Sequence, residues 1–275
     1  MKVSFFSRRA AKNAGWLVAG RILHMALAFL VNLLTARYLG PSNYGLVNYA
    51  ALYTAFFTSF ATLGLSSLLL KDFMDDPEGA GTTVGTAIAM RLLSSTLSAV
   101  TILAIVAVVD RGERLTMTVV ALYSMSLIFQ AFDTIQYWFQ SRLESKYATI
   151  ATSVGYIIVS FYKVLLLVLG KDVRWFAISN TIDYAVAAIV FLGLYKWRGG
   201  PRLHISPAKG RALLRQSGSF ILCGLMVSVY NCTDRFMLKH LLDEASVGYY
   251  ATATSLATVW TFVLSAIIDS ITPGI

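Results

Sequence analysis

Apolar residues recur along this chain in long uninterrupted stretches, and charged residues stand almost entirely between them. No charge occurs from Tyr38 to Leu70 or from Ala245 to Ile268, and further uncharged runs cover Leu92 to Val109, Leu115 to Phe132 and Gln216 to Thr233. Each is close to or beyond the roughly 20 residues with which an α-helix crosses a hydrocarbon core about 30 Å thick. The pattern predicts eight spans, near residues 14–36, 44–70, 83–109, 116–139, 148–169, 175–195, 217–241 and 248–272. The expected fold is all-α, a polytopic transmembrane helix bundle. Residues 1–195 form a six-helix lobe, 196–216 a basic cytoplasmic linker with a short amphipathic helix, and 217–275 the first two helices of an incomplete second lobe.

Composition agrees with a membrane protein. The chain is 57% hydrophobic and 13% charged, with a mean hydropathy of +0.66, far from a soluble domain of this length. The net charge of +9 comes from Lys and Arg that punctuate apolar spans. A nucleic-acid surface would instead cluster them on one polar face, so no nucleic-acid partner is expected.

Loop charge predicts orientation, because cytoplasmic loops hold the excess of Lys and Arg. Alternate loops on one side carry thirteen: Lys2, Arg8, Arg9, Lys12, Lys71, Arg142, Lys146, Lys196, Arg198, Arg202, Lys209, Arg211 and Arg215. The other side carries six: Arg37, Arg111, Arg114, Lys171, Arg174 and Lys239. The N-terminus is therefore expected in the cytoplasm of a multi-pass inner-membrane protein. A cleaved signal peptide fits less well, since the first apolar segment is too long and no small-x-small site ends it. Acidic residues between Lys71 and Gly81 do not alter the count, because they contribute little to orientation.

Motifs of soluble catalysis are missing from the sequence: it has no CxxC, HExxH or P-loop, and His24, His204 and His240 share no ligand spacing. Cys223 and Cys232 lie nine positions apart on opposite faces of one predicted helix and cannot bridge. Neither enzyme activity, cofactor nor metal is expected. In the longest connection, Ser206 as N-cap and Pro207 at the first helical position predict a helix start, with Lys209, Arg211 and Arg215 suited to an anionic lipid surface.

Two segments repeat. Ala36 to Ala50 and Leu238 to Ala251 both place a basic residue at a helix end, then a short polar turn, then Gly45 or Gly248 followed by aromatic and small residues. The offset spans six helices, an even number, so the units share orientation, as in transporters built from parallel repeats.

These segments, together with Phe132 to Gln140 followed by Lys146, and Tyr230 to Leu238 followed by Val247-Gly248-Tyr249-Tyr250, resemble bacterial polysaccharide flippases. These form the Wzx-like branch of the multidrug/oligosaccharidyl-lipid/polysaccharide (MOP) exporter superfamily. The resemblance implies two six-helix lobes with additional helices, of which this sequence carries one lobe and two helices of the next, and so reads as a C-terminally truncated fragment. It further implies movement of an undecaprenyl-diphosphate-linked oligosaccharide to the outer leaflet, with a polysaccharide polymerase and other pathway proteins as partners.

Ionisable residues inside spans usually face a bundle interior or cavity, which makes Arg21, His24, Arg91, Lys163 and Arg235 candidates for the diphosphate and sugar path and Asp133 the ion-coupling candidate. Asn32 extends the Arg21–His24 stripe; Arg91 heads a polar stripe through Ser95 and Ser98, and Lys163 ends one through Ser153, Tyr156 and Ser160. Arg21, Arg91 and Asp133 fall on the cytoplasmic side of their helix centres, Lys163, Asp234 and Arg235 on the outer side. Plainer roles stand beside these: Arg91 paired with Asp133 between helices, Lys163 snorkelling, Asp234 and Arg235 interfacial, and the Ser and Thr stripes packing helices. Three other functional readings remain open at this point: a drug exporter or peptidoglycan-precursor flippase of the same superfamily, a membrane-embedded glycosyltransferase or polymerase, and a non-catalytic fragment that only binds or scaffolds. The second calls for paired carboxylates on a large outer loop, and no outer loop exceeds about a dozen residues.

Overall fold

The computed structural model describes residues 2–258, with side chains at 25 and 27–257. The helices are α1 (Lys2–Ala61), α2 (Ser66–Asp75), α3 (Ala80–Val109), α4 (Arg114–Ser124), α5 (Ser126–Gln130), α6 (Thr134–Ser141), α7 (Ser145–Val168), α8 (Val173–Trp197), α9 (Pro207–Leu241) and α10 (Glu244–Thr258). A 3-10 turn, Ala131–Asp133, joins α5 to α6, and there is no strand among the described residues. The fold is the expected all-α membrane bundle, with six helical segments long and apolar enough to cross a bilayer.

The boundaries differ from the sequence reading in three places. The first two expected spans meet in one helix, α1, that bends where Gly40 adopts φ 71° just before Pro41. Glycine alone takes that left-handed conformation without cost, and proline removes a backbone donor, so the pair turns the chain without a loop. The second span is then interrupted after residue 61, where Leu63 (φ 55°) and Gly64 (φ 58°) take positive φ, and the chain carries on as α2 to Asp75. The short amphipathic helix expected in the linker is not separate. Ser206 Oγ accepts from the Lys209 backbone N–H at 3.3 Å and Pro207 opens α9, which runs on to Leu241.

Helix-to-helix packing has little hydrophobic drive inside a bilayer, so small residues and buried polar contacts carry it. Buried apolar side chains form two clusters. One holds Tyr44, Tyr49, Ile102, Val106, Val119 and Phe176; the other holds Leu65, Leu69, Phe73, Ile135, Phe139 and Phe191. They occupy opposite halves of the same helices.

Polar contacts gather the loops into two ends. At one, Arg198 pairs with Glu144, Lys209 Nζ lies 2.7 Å from Asp72 Oδ1, and Thr83 Oγ1 donates to Asp72 Oδ2 at 2.7 Å. The linker crosses the start of α3 there: the Ser206 N–H donates to Thr86 Oγ1 at 2.9 Å. Arg198 consequently holds its proton above even the usual guanidinium range, through its bond to Glu144. At the other end, Lys239 meets Glu113 and Glu244, and Tyr38 OH donates to the Lys171 carbonyl at 3.3 Å. The alternation of loops read from the sequence matches this grouping.

Candidate functional site

Four charged side chains from four elements converge between the two apolar clusters. Arg91 comes from α3, Asp133 from the 3-10 turn, Lys163 from α7 and Asp183 from α8. Arg91 interacts electrostatically with Asp133, Asp133 with Asp183, and Asp183 with Lys163. No ion pair within 4.0 Å joins any two of them. The quartet is a spaced series of two cations and two carboxylates. Along the helix axes, at 1.5 Å per residue, it covers roughly 15 Å of membrane depth.

The break that presents Asp133 is made by side chains, because residues 114–141 contain neither glycine nor proline. Thr134 Oγ1 donates back to the Ala131 carbonyl at 2.8 Å, a bond that tends to bend helices. The same hydroxyl accepts from Arg91 Nη1 at 3.1 Å. Arg91 is only 2% exposed, and its Nε has no hydrogen-bond partner, as is true of the buried hydroxyls of Ser95, Ser126 and Ser160. Buried polar atoms of this kind are ordinarily met by water.

Tyrosines surround the quartet. Tyr123, Tyr156 and Tyr184 interact with Asp183, and Tyr184 also with Asp133. Tyr137 interacts with Arg91 and donates its hydroxyl to Ser66 Oγ at 2.9 Å.

Of the residues singled out by sequence, Arg91, Asp133 and Lys163 come together here, and Asp183 joins them. Arg235 stands elsewhere: on α9 its Nη2 donates to the Asn231 carbonyl at 3.2 Å, while Asp234 accepts from Tyr250 OH. Arg21 and His24 lie on α1, and their side chains fall outside the described residues. Asp183 is marked in the sequence as the one charge between Arg174 and Lys196.

Two cavities flank the contact of α1 with α9 and α10. One, of about 200 Å³, is lined by Phe29, Asn32, Leu33, Tyr44, Thr252 and Ser255 among others. The other, of about 300 Å³, is walled by apolar groups that include Leu52, Phe56, Phe57, Cys232 and Phe236. Both cysteines are free thiols.

A family model described as "Polysaccharide biosynthesis protein" matches residues 10–275. The chain belongs to the polysaccharide biosynthesis protein family. No curated protein matches this family member significantly. Among solved structures it is similar to a MOP superfamily transporter from Pyrococcus furiosus Vc1 (DSM3638), whose binding pocket is described as having a reverse polarity that suggests a different function. The two share 16% identity at a TM-score of 0.65, over 94% of this chain and 61% of that one. At that identity the likeness establishes the fold. This polysaccharide biosynthesis family member therefore has a MOP-type fold and spans about three fifths of the transporter it matches.

Proposed function

We propose that the protein moves a polyprenyl-diphosphate-linked oligosaccharide across the cytoplasmic membrane for surface polysaccharide synthesis, and that the charged quartet within the spans couples this movement to an ion gradient. The observation that carries the reading is the balance of the quartet: Arg91 and Lys163 against Asp133 and Asp183, held apart from direct pairing. Charges within a membrane span are costly and persist where function requires them. A proton or small cation received at Asp133 or Asp183 turns the balanced set net positive. Such a set attracts the substrate's diphosphate and resists closing back into the apolar interior, so ion binding and substrate binding become linked.

In the seam between α1 and α10, Asn32, Tyr44, Thr252 and Ser255 offer hydrogen-bond donors and acceptors suited to sugar hydroxyls. Sequence spacing sets Asn32 on the stripe of Arg21 and His24, the proposed phosphate ligands, and the planar fork of arginine suits a diphosphate better than a point charge does. Arg235 is the corresponding proposal on α9.

Transport assays in proteoliposomes test the substrate. A fluorescent polyprenyl-diphosphate oligosaccharide should cross protein-containing vesicles faster than empty ones. Movement of a cationic dye, with the lipid-linked sugar left in place, would assign the protein to drug export instead.

A further inference from the structure

The ends of α6, α7 and α8 that lie together near the linker share a run of touching aromatic rings. Tyr195 meets Trp138 at 4.8 Å between centroids, Trp138 meets Phe139 at 5.0 Å, Phe139 meets Tyr147 at 5.4 Å and Tyr147 meets Trp197 at 6.0 Å. Three cations lie on these rings. Arg142 Cζ is 4.8 Å from the Trp138 centroid, while Lys146 Nζ and Arg198 Cζ are 4.6 and 5.0 Å from that of Tyr147.

Both arginines are presented by ordered helix ends. After α6, Leu143 takes φ 55°, and the N–H groups of Leu143 and Glu144 donate to the carbonyls of Gln140 at 3.0 Å and Phe139 at 2.9 Å. After α8, Gly199 takes φ 69°, and the N–H groups of Gly199 and Gly200 donate to the carbonyls of Lys196 at 3.1 Å and Tyr195 at 2.8 Å. One closing motif is used twice, a left-handed residue that ends the last turn, and Arg142 and Arg198 are the C-caps just before it. Helix dipoles favour cations at those two ends. They disfavour Lys146, which stands in the first turn of α7.

Charge at this end is uneven. Glu144 pairs with Arg198, and its Oε2 is buried without a hydrogen-bond partner, so it engages neither of the other cations. No carboxylate among the described residues lies within 4.0 Å of Arg142 or Lys146. Lys209 of the neighbouring helix start is taken by Asp72 at 2.7 Å. Beside Arg142 and Lys146, Trp197 is 71% exposed and Leu143 37%. The 24 residues of α7 measure about 36 Å, a little more than a hydrocarbon core about 30 Å thick, so its first turn reaches headgroup depth.

We propose that this end faces the cytoplasmic leaflet and binds the headgroup of an anionic phospholipid, its phosphate held by Arg142 and Lys146 while Trp197 and Leu143 lie against its glycerol and upper acyl chains. Aromatic faces hold the cations in place without neutralising them, so their charge stays available to a phosphate. An exposed indole suits the membrane interface, and basic pockets between spanning helices on this side are where anionic headgroups are recognised. The proposal does not rest on the oligosaccharide reading and holds whatever molecule is transported.

Native mass spectrometry of the detergent-solubilised full chain, titrated with phosphatidylglycerol and separately with phosphatidylcholine, tests it. Phosphatidylglycerol should show one site tighter than the rest, and phosphatidylcholine none. Arg142→Gln with Lys146→Gln should weaken that site about 25-fold, roughly five-fold for each charge removed. Trp197→Ala should weaken it by a smaller factor, and Lys146→Arg should retain it. Arg211→Gln with Arg215→Gln removes as much charge from exposed positions on α9 at the same end and should leave the site intact. An equal loss in that α9 pair would reduce the effect to the general charge of this end and overturn the site, as would phosphatidylcholine bound as tightly as phosphatidylglycerol. Displacement of the lipid by excess inorganic phosphate would make it an ion site and overturn the lipid assignment. Failure of a lipid-linked oligosaccharide to move in proteoliposomes leaves this result standing, and the reverse also holds.

Discussion

Gly155 on α7 leaves no space for a side chain against Asp183 on α8: a Cβ there would lie 2.9 Å from Asp183 Oδ1 and 3.0 Å from its carbonyl oxygen. Close approach of the two helices at a small residue sets where the carboxylate stands relative to Lys163 and Asp133. Gly155→Ala should therefore displace Asp183 and cost about 1–3 kcal/mol in overpacking. The larger effect should fall on ion dependence. Thermal unfolding in detergent combined with gradient-driven uptake separates the two, with uptake expected to fall more steeply than stability.

Arg91 and Thr134 give a second prediction. Thr134→Val removes the acceptor of Arg91 Nη1 and the bond back to Ala131, leaving a second buried guanidinium nitrogen unpaired at a cost of about 1–3 kcal/mol. Arg91→Ala should reduce membrane abundance by exposing Asp133 to an interior without its cation, and Arg91→Ala with Asp133→Ala should recover part of it. Immunoblots of membranes at equal expression measure both. Recovery of abundance without recovery of transport is the expected pattern.

The loop between α3 and α4 carries a pH dependence of two opposite signs. Glu113 is held below the usual glutamate range, first by the hydrogen bond from Thr116 Oγ1 at 2.7 Å and further by Lys239, against the opposing effect of burial. Its contribution is present above the unfolded value of about 4.3 and is lost as pH falls through the lower folded value. Asp110 is pushed up by burial, opposed by the bond from Tyr49 OH at 3.1 Å. Its effect is reversed: the folded state gains as pH falls through the raised value. Melting temperature should rise on mild acidification and then drop. Asp110→Asn should remove the rise and Glu113→Gln the drop, both read from pH-resolved unfolding.

Orientation follows from the Lys and Arg bias. In a Cys223→Ala/Cys232→Ala background, Lys171→Cys should react with an impermeant maleimide on intact cells, and Ile205→Cys, at an exposed position, only after permeabilisation. Labelling in the opposite order would invert the topology.

The helices were legible because charge-free runs of membrane length leave little alternative to spans. The repeat was legible because its glycines recur at a fixed offset, and the structure brings those two glycines into contact. Less readable were features made by side chains acting across helices. The 3-10 turn at Ala131–Asp133 arises from Thr134 and Arg91, with no glycine or proline to announce it. The helix break at Leu63–Gly64 lies inside an uncharged run, where hydropathy continues through the interruption. Asp183 was an isolated charge in an apolar helix, visible in the sequence, but its partners come from α7 and the α5–α6 junction, which spacing within one helix cannot supply. Arg235 fits the polar pattern of α9 yet turns to its own helix backbone.

Coupling through the quartet is tested most directly by gradient-driven movement of the lipid-linked oligosaccharide in proteoliposomes, comparing wild type with Asp133→Asn/Asp183→Asn. With both carboxylates neutralised, an imposed proton or sodium gradient should no longer accelerate movement, while reconstituted protein remains folded and slow ungated exchange persists. Full gradient-driven movement in the doubly substituted protein would contradict the account.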